Sequence, residues 1–476
     1  MLRCGKMSVT HCFTTACTCA MSLLLTLLLP LGLLIWSVYR GWPVLLAAPM
    51  MALLAAFLSA DPIFATLTQR FMPAVGGFVI AFLPLFLLGA VFGKLMEDSG
   101  AAMALARFIV ARLGAAQALP AVVLSCAILT YGGVSLFVVA FAVYPLARAL
   151  FHEATLSLRL IPAAIALGAF TFTMRALPGS PAIQNAIPMP YFGTTAFAAP
   201  GLGLIAGVIM AGGGLLYLAY LARIERPETV TAAPETLDNY DGEQIPIWLA
   251  IAPILTVFAA NWALAKLVLP RVDLGYLSDP SWGGVTPGHV VGVWALIGAL
   301  TLAILLLLGL VWRRLDHPRV TLSKGSEAAL LPLFNTAALV GFGAVVSALP
   351  AFGAVNAFTT DMPGGVLAGL AASASLLAGL TGSASGGMSI ALDTLGPRYL
   401  ETALAEGVDP AALHRIVALA TGGLDALPHN GAVVTLLGIA GLTHREAYGP
   451  IFVVAVAIPV VALLAALVLA RQFGAF

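Results

Sequence analysis

The sequence predicts an all-α polytopic membrane protein: two inverted-topology repeats of about five spans each, with re-entrant helical hairpins and broken helices. Three observations lead there. Of 476 residues, 61% are hydrophobic and only 9% charged, against about 25% charged in soluble domains. A chain this poor in charge cannot cover a water-facing surface. Apolar runs recur along it at the roughly 20 residues a bilayer core requires. Three blocks of the first half also return, in order, in the second. FLPLF (82–86) returns as LLPLF (330–334), TYGGVSL (130–136) as ASGGMSI (384–390), and RALPGSPA (175–182) as DALPHNGA (425–432). The offsets of 248, 254 and 250 residues are nearly constant, the mark of a duplicated unit.

Residues 1–20 differ in composition from the rest of the chain and read as a leader or a mis-assigned start, with Met21 the expected first residue. They hold Cys4, Cys12, Cys17 and Cys19; with Cys126 these are incidental thiols, since no CxxC pair occurs. The first repeat is 21–222. Its spans are 21–38, 43–60, 76–94, a polar-interrupted stretch 119–148, a broken stretch 160–197, and 198–222. Residues 97–114 are amphipathic, with Arg107 and Arg112 on a polar face, and read as an interfacial helix or a short buried one. Residues 223–245 are acidic, proline-containing and aperiodic, a solvated cytoplasmic linker. The second repeat, 246–476, repeats the order: 246–269, 288–312, 328–350, an interrupted stretch 364–396, a broken stretch 411–443, and 449–470. If the interrupted stretches are hairpins that return to the side they entered, each half crosses an odd number of times and the copies are inverted. The Lys and Arg bias agrees. Most basic residues, among them Arg40, Lys94, Arg107, Arg112, Arg148, Arg159 and Arg223, fall on the cytoplasmic side, and Arg70, Lys266, Arg271, Arg398, Arg415 and Arg471 fall outside.

Paired interruptions in two repeats point to a secondary transporter. A backbone polar group freed in hydrocarbon costs several kcal/mol, so irregular backbone survives only beside protein or a polar cavity. Pro178 cannot donate to a helix ladder and disfavours helix at Leu177. Gly179 and Pro181 extend the break, and Ser180, Gln184 and Asn185 add polar groups. Pro428, His429, Asn430 and Gly431 do the same in the second copy. The hairpin tips are Thr130, Tyr131, Gly132, Gly133 and Ser135 in the first copy, and Thr381, Gly382, Ser383, Ser385, Gly386, Gly387 and Ser389 in the second. Two tips and two breaks meeting near the midplane make one hydrophilic pocket; the plainer alternative for each Gly-rich tip is a packing seam. Arg175, Asp425 and His429 are the ionisable groups nearest the breaks, and intramembrane charge points to function. Arg175 can fork onto a carboxylate or pair with its counterpart Asp425. Asp425 or His429 can carry a coupled proton, although His429 can also serve only as a helix cap. Asp393 is a weaker candidate.

The net charge of +1 implies no nucleic-acid partner. No GxxxxGK[ST], HExxH or GxSxG occurs, so neither an ATP-driven pump nor a hydrolase is supported, and no metal or cofactor is expected.

The stretches TYGGVSLFVVAFAVYPLA, FTFTMRALPGSPAIQNAIP and GGLDALPHNGAVVTLL resemble the gluconate permease (GntP) family of the ion transporter superfamily, and the likeness runs from Met21 onward. The resemblance implies proton-coupled symport of gluconate or a related small sugar or hydroxy-acid anion across a bacterial inner membrane. It also implies a homodimer that moves by an elevator. By the same resemblance, the substrate pocket lies at Gly132, Gly133, Ser135, Gly179, Ser180, Asn185, Gly386, Gly387, Ser389, His429 and Asn430; Arg175 joins the substrate residues, and Asp425 and His429 are the coupling-ion candidates, as intramembrane charges beside the breaks rather than by resemblance. A sodium-coupled carboxylate carrier is the alternative within transport; a channel or a non-transporting scaffold is the alternative outside it.

Overall fold

The computed structural model describes residues 26–38, 40–225, 245–315, 317–350, 364–428 and 430–476. The 1–20 leader, nearly all of the linker and His429 lie outside the described residues. The described residues form helices and no strand. In the first half these are α1 (Thr26–Val38), α2 (Val44–Leu58), α3 (Ile63–Asp98), α4 (Ala101–Leu113), α5 (Ala118–Tyr131), α6 (Leu136–Glu153), α7 (Leu158–Arg175), the short α8 (Ile183–Ala186) and α9 (Pro188–Phe192), and α10 (Pro200–Ile224). In the second half they are α11 (Ile247–Arg271), α12 (Pro287–Val311), α13 (Pro318–Ser347), α14 (Gly365–Thr381), α15 (Ala384–Ala405), α16 (Pro410–Leu424), α17 (Gly431–Ala440) and α18 (His444–Phe473).

Local chemistry sets the starts. Proline, whose missing N–H is no loss at the first helical position, opens α10, α12, α13 and α16. Thr443 and Glu446 close a reciprocal capping box at the start of α18. Among the described residues seven helices are long and apolar enough to cross a bilayer, or eight if the pair 101–113 and 115–131, bent by 103°, is one span. Their outer faces carry Phe64, Ile80, Val208 and Leu216, each more than 70% exposed. Such a surface suits acyl chains rather than water.

The helices α3 and α13, which carry the FLPLF and LLPLF blocks, pack along each other. The two broken helices are the most enclosed. Every residue of 161–170 in α7 and of 412–423 in α16 is buried. Of the apolar window of α7, 83% is buried, against 28% for α3. Backbone satisfaction requires this: a helix that stops inside the bilayer must stop inside protein. The α4 helix also packs on protein, burying Ala101, Ala102, Leu105, Ala106, Ile109 and Val110 against α5, α6 and α11. Its other face leaves Phe108 and Arg112 exposed, so the helix is covered on its apolar side alone.

One correspondence shifts. The first hairpin turns at 132–135, between α5 and α6, and the second at Gly382 and Ser383, between α14 and α15. The equivalent residues are thus Thr130 and Thr381, near the ends of the two first arms and 251 apart, in line with the other offsets. The GG doublets do not correspond. Gly386, Gly387 and Ser389 lie in the first turns of α15 rather than at the tip.

Candidate substrate site

The second hairpin tip is built by its own side chains. Thr381 turns its hydroxyl back onto the Leu377 carbonyl (2.8 Å). Gly382 takes φ +60°, left-handed backbone that suits glycine, and ends α14. Ser383 then caps α15, its Oγ accepting from Gly386 N–H (3.1 Å). The second break is made the same way. Asn430 caps α17, its Oδ1 accepting from the N–H groups of Ala432 (2.7 Å) and Val433 (3.1 Å). Its Nδ2 donates to the Gly382 carbonyl (2.9 Å), so one side chain ties break to tip. His444 Nε2 donates to the Pro428 carbonyl (2.8 Å), and Tyr448 Oη donates to the Ala426 carbonyl (3.1 Å).

These elements wall a cavity of about 880 Å³. Its polar lining comes from Thr381, Ser383 and Ser385 at the tip and Asp425 and Asn430 at the second break. Arg175 and Gln184 join from the first break, and Asn335 and Thr336 from α13. Arg175 and Asp425 are both buried and form an ion pair through Nη2 and Oδ2. Arg175 Nη1 donates to the Gly422 carbonyl (2.6 Å). Arg175 Nε and Asp425 Oδ1 have no hydrogen-bond partner among the described residues.

Of the residues chosen from sequence, the cavity wall takes Arg175, Asp425 and Asn430. His429 lies outside the described residues, and the other chosen residues do not line the wall. Gly132 lies against Ile254 of α11, and Gly133 against Pro181. Beside them Tyr131 Oη donates to the Pro178 carbonyl (2.6 Å), which joins the first tip to the first break. From the start of α6, next to Ser135, Leu136 reaches the cavity wall. Gly179 (φ +83°) donates its N–H to the Ala196 carbonyl (2.8 Å) and packs under Phe197 and Phe258. Ser180 is fully buried. Asn185 donates from Nδ2 to the carbonyls of Ser180 (2.9 Å) and Ala196 (3.0 Å), folding the break on itself. Gly386 faces Leu339, and a Cβ on Gly387 would stand 2.2 Å from the backbone nitrogen of Ala378, so both serve the close approach of α15 to its neighbours. The Ser389 hydroxyl is buried, with no partner among the described residues.

Arg415 is a correction. The charge bias places it with the outer loops, but it is fully buried in the middle of α16. Its Nε donates to the Ala198 carbonyl (3.1 Å). Nη1 donates to the Arg175 carbonyl (2.9 Å) and to Asn185 Oδ1 (3.1 Å). Nη2 donates to the carbonyls of Ala196 (3.3 Å) and Ala198 (2.8 Å). Beside it, His414 Nε2 donates to Asn185 Oδ1 (3.2 Å) while Nδ1 accepts from the Thr194 hydroxyl (2.6 Å). The signal for Arg415 was present: it lies inside the 411–443 stretch, where any charge is functionally suspect. Asn335, Thr336 and His444 had no such signal.

Two helix N-termini (α15 and α17), one guanidinium and several hydroxyls thus converge on one space. Helix N-termini carry partial positive charge, and a guanidinium forks onto two oxygens, so these groups can meet a small anion once Arg175 is freed from Asp425. Among the described residues no group of three or more His, Cys, Asp or Glu could hold a metal ion.

Known proteins agree with this architecture. The fold is similar to the solved YdaH transporter of Alcanivorax borkumensis, at 19% identity and TM-score 0.53 over 84% of this chain and 86% of that one. It is similar also to MtrF of Neisseria gonorrhoeae, at 15% identity and TM-score 0.55 over 87% and 84%. At these identities the likeness is one of fold. In sequence the chain is 40% identical over 461 residues to the uncharacterized transporter YxjC of Bacillus subtilis (strain 168), covering 90% of this chain and 95% of that one. Residues 17–312 match the GntP family permease. The chain is a multi-pass membrane transporter rather than an enzyme, and it belongs to the GntP family of permeases.

Proposed function

We propose that the chain is a proton-coupled symporter of gluconate or a related small sugar or hydroxy-acid anion, working as a homodimer in a bacterial inner membrane. The family supports a small-anion substrate, and the bacterial relative supports the membrane. The observation that carries the coupling is the buried Arg175–Asp425 pair in the cavity wall. While Asp425 is ionised, its carboxylate holds one arm of the Arg175 fork. A proton on Asp425 releases that arm to the substrate carboxylate. Loading one proton with one monoanion leaves the site's net charge as it was: a cation and an anion before, the same cation with a different anion afterwards. Loading either alone leaves an extra charge away from water, where one unit pair at 4 Å is worth about 4 kcal/mol at an effective dielectric of 20. The N-termini of α15 and α17 take the rest of the carboxylate's charge, and Asn335, Thr336 and Ser385 face the hydroxyls. In this reading Asp425 alone is sufficient for coupling. His429, outside the described residues, is the alternative proton carrier that the sequence offers.

The test is uptake into proteoliposomes. An inwardly directed proton gradient in sodium-free buffer should accumulate gluconate or another sugar acid. Accumulation only under a sodium gradient makes the chain a sodium-coupled carrier, and equilibration that ignores both gradients makes it a channel.

A further inference from the structure

Arg415 directs all five of its N–H groups to oxygens of the first broken stretch. Those oxygens mark the entrance of the break (Arg175), its middle (Asn185) and its exit (Ala196 and Ala198). No ion pair involves Arg415 among the described residues. The donors are saturated by protein, so this cation is not a ligand site. The same helix also holds the other end of Arg175: Gly422 takes Nη1 through its carbonyl, and Asp425 follows at the C-cap of α16. From the opposite side α10 closes on the same backbone, since a Cβ on Gly203 would lie 2.2 Å from the Ala176 carbonyl oxygen and 3.2 Å from Arg415 Nε.

We infer that Arg415 is a positioning residue for the anion site: it fixes the backbone of Arg175, so that the guanidinium is presented to the cavity from one place only. This rests on the reading of Arg175 as the anion-binding group. Lysine cannot replace it, because an ammonium offers three donors from a single point where five arrive here from a planar fork.

Two measurements test this on full-length protein in parallel. The first needs no substrate: hydrogen–deuterium exchange of wild type and Arg415→Lys in detergent. Faster exchange confined to 176–199, with α10 and α12 unchanged, is expected; unchanged exchange in 176–199 overturns the inference. The second is the kinetics of gluconate uptake for wild type, Arg415→Lys, Arg175→Gln and the double variant, at matched amounts of monodisperse protein. Arg415→Lys should raise KM at least tenfold with Vmax within threefold. The double variant should be no worse than Arg175→Gln. An unchanged KM for Arg415→Lys, or losses that multiply in the double variant, overturns it. If Arg415→Lys is not recovered folded, Gly207→Ala, whose methyl presses on the Leu177 side chain (3.3 Å) and Ala176 Cβ (3.8 Å) without touching a charge, carries both measurements. A wild-type protein that takes up no sugar acid sinks the substrate assignment and leaves the exchange experiment to decide on Arg415.

Discussion

Arg175 and Asp425 occupy the same position in the two repeated blocks, 250 residues apart, and they meet as a buried ion pair in one cavity wall. Substituting either partner alone has different consequences for stability and for coupling. Arg175→Gln leaves a buried carboxylate unpaired, which costs about 3–5 kcal/mol, and should lower uptake at least a hundredfold. Asp425→Asn mimics the protonated state, so it should still exchange substrate across the membrane yet fail to concentrate it under a proton gradient. The double variant should recover most of the lost stability and none of the transport. Denaturant unfolding beside counterflow and gradient-driven uptake checks all three.

Asn430 does two jobs, and two substitutions separate them. Asn430→Ala removes the cap of α17, about 1 kcal/mol, and leaves the Gly382 carbonyl without its donor, about 1 kcal/mol more. Asn430→Ser keeps a cap and loses only the donor, so it should cost roughly half as much. Both should impair uptake, because both release the hairpin tip from the break. Thermal unfolding midpoints ranked wild type, Ser, Ala would bear this out; an equal loss in the two variants would not.

The glycines of α15 separate packing from binding. Gly387→Ala drives a methyl into the backbone of α14 at Ala378 and should abolish recovery of monodisperse protein. Gly386→Ala meets the end of Leu339, a side chain that can turn away, and should cost about 1–3 kcal/mol. Neither glycine lines the cavity, but Leu339 does, so Gly386→Ala should act on KM only through the displaced Leu339. Leu339→Ala in the same background should restore KM; a KM that stays raised tenfold would return Gly386 to the binding site.

The first hairpin tip lies behind the cavity, joined to the break through Tyr131. Tyr131→Phe removes one hydrogen bond, about 1 kcal/mol, and should leave KM within twofold of wild type. A large change in KM would mean that this tip too touches substrate.

How much of this the sequence discloses depends on the kind of signal. Interruptions are legible because Pro178 and Pro428 cannot continue a helix, wherever it lies. The repeat is legible because the blocks around those prolines match. Which side of a helix faces the cavity is not. In a soluble helix the buried face is the apolar one, but lipid is as apolar as a protein interior, and all ten residues of 161–170 are buried without any polar stripe to orient them. Glycine doublets mislead for a related reason. Gly132 and Gly133 form a turn, whereas Gly386 and Gly387 let two straight helices touch, and the letters are the same. Asn185 and Asn430 look alike in sequence but differ in partners: Asn185 satisfies carbonyls inside its own break, and Asn430 reaches across to a hairpin. Only the fold says which oxygen an amide will find.

Arg415 has a consequence for how the protein is made. It reaches back 240 residues to the carbonyl of Arg175. At about 5–20 residues per second, the ribosome needs on the order of tens of seconds to deliver it after the first break has emerged. Throughout that interval the carbonyls of Arg175 and Ala198 lack the cation that donates to them. The amino-terminal half must therefore wait in the insertion machinery, or beside other lipid-shielding protein, with its interior unfinished. Severing the gene between the halves should yield an amino-terminal fragment that is degraded when expressed alone and rescued when the carboxy-terminal fragment is supplied alongside it.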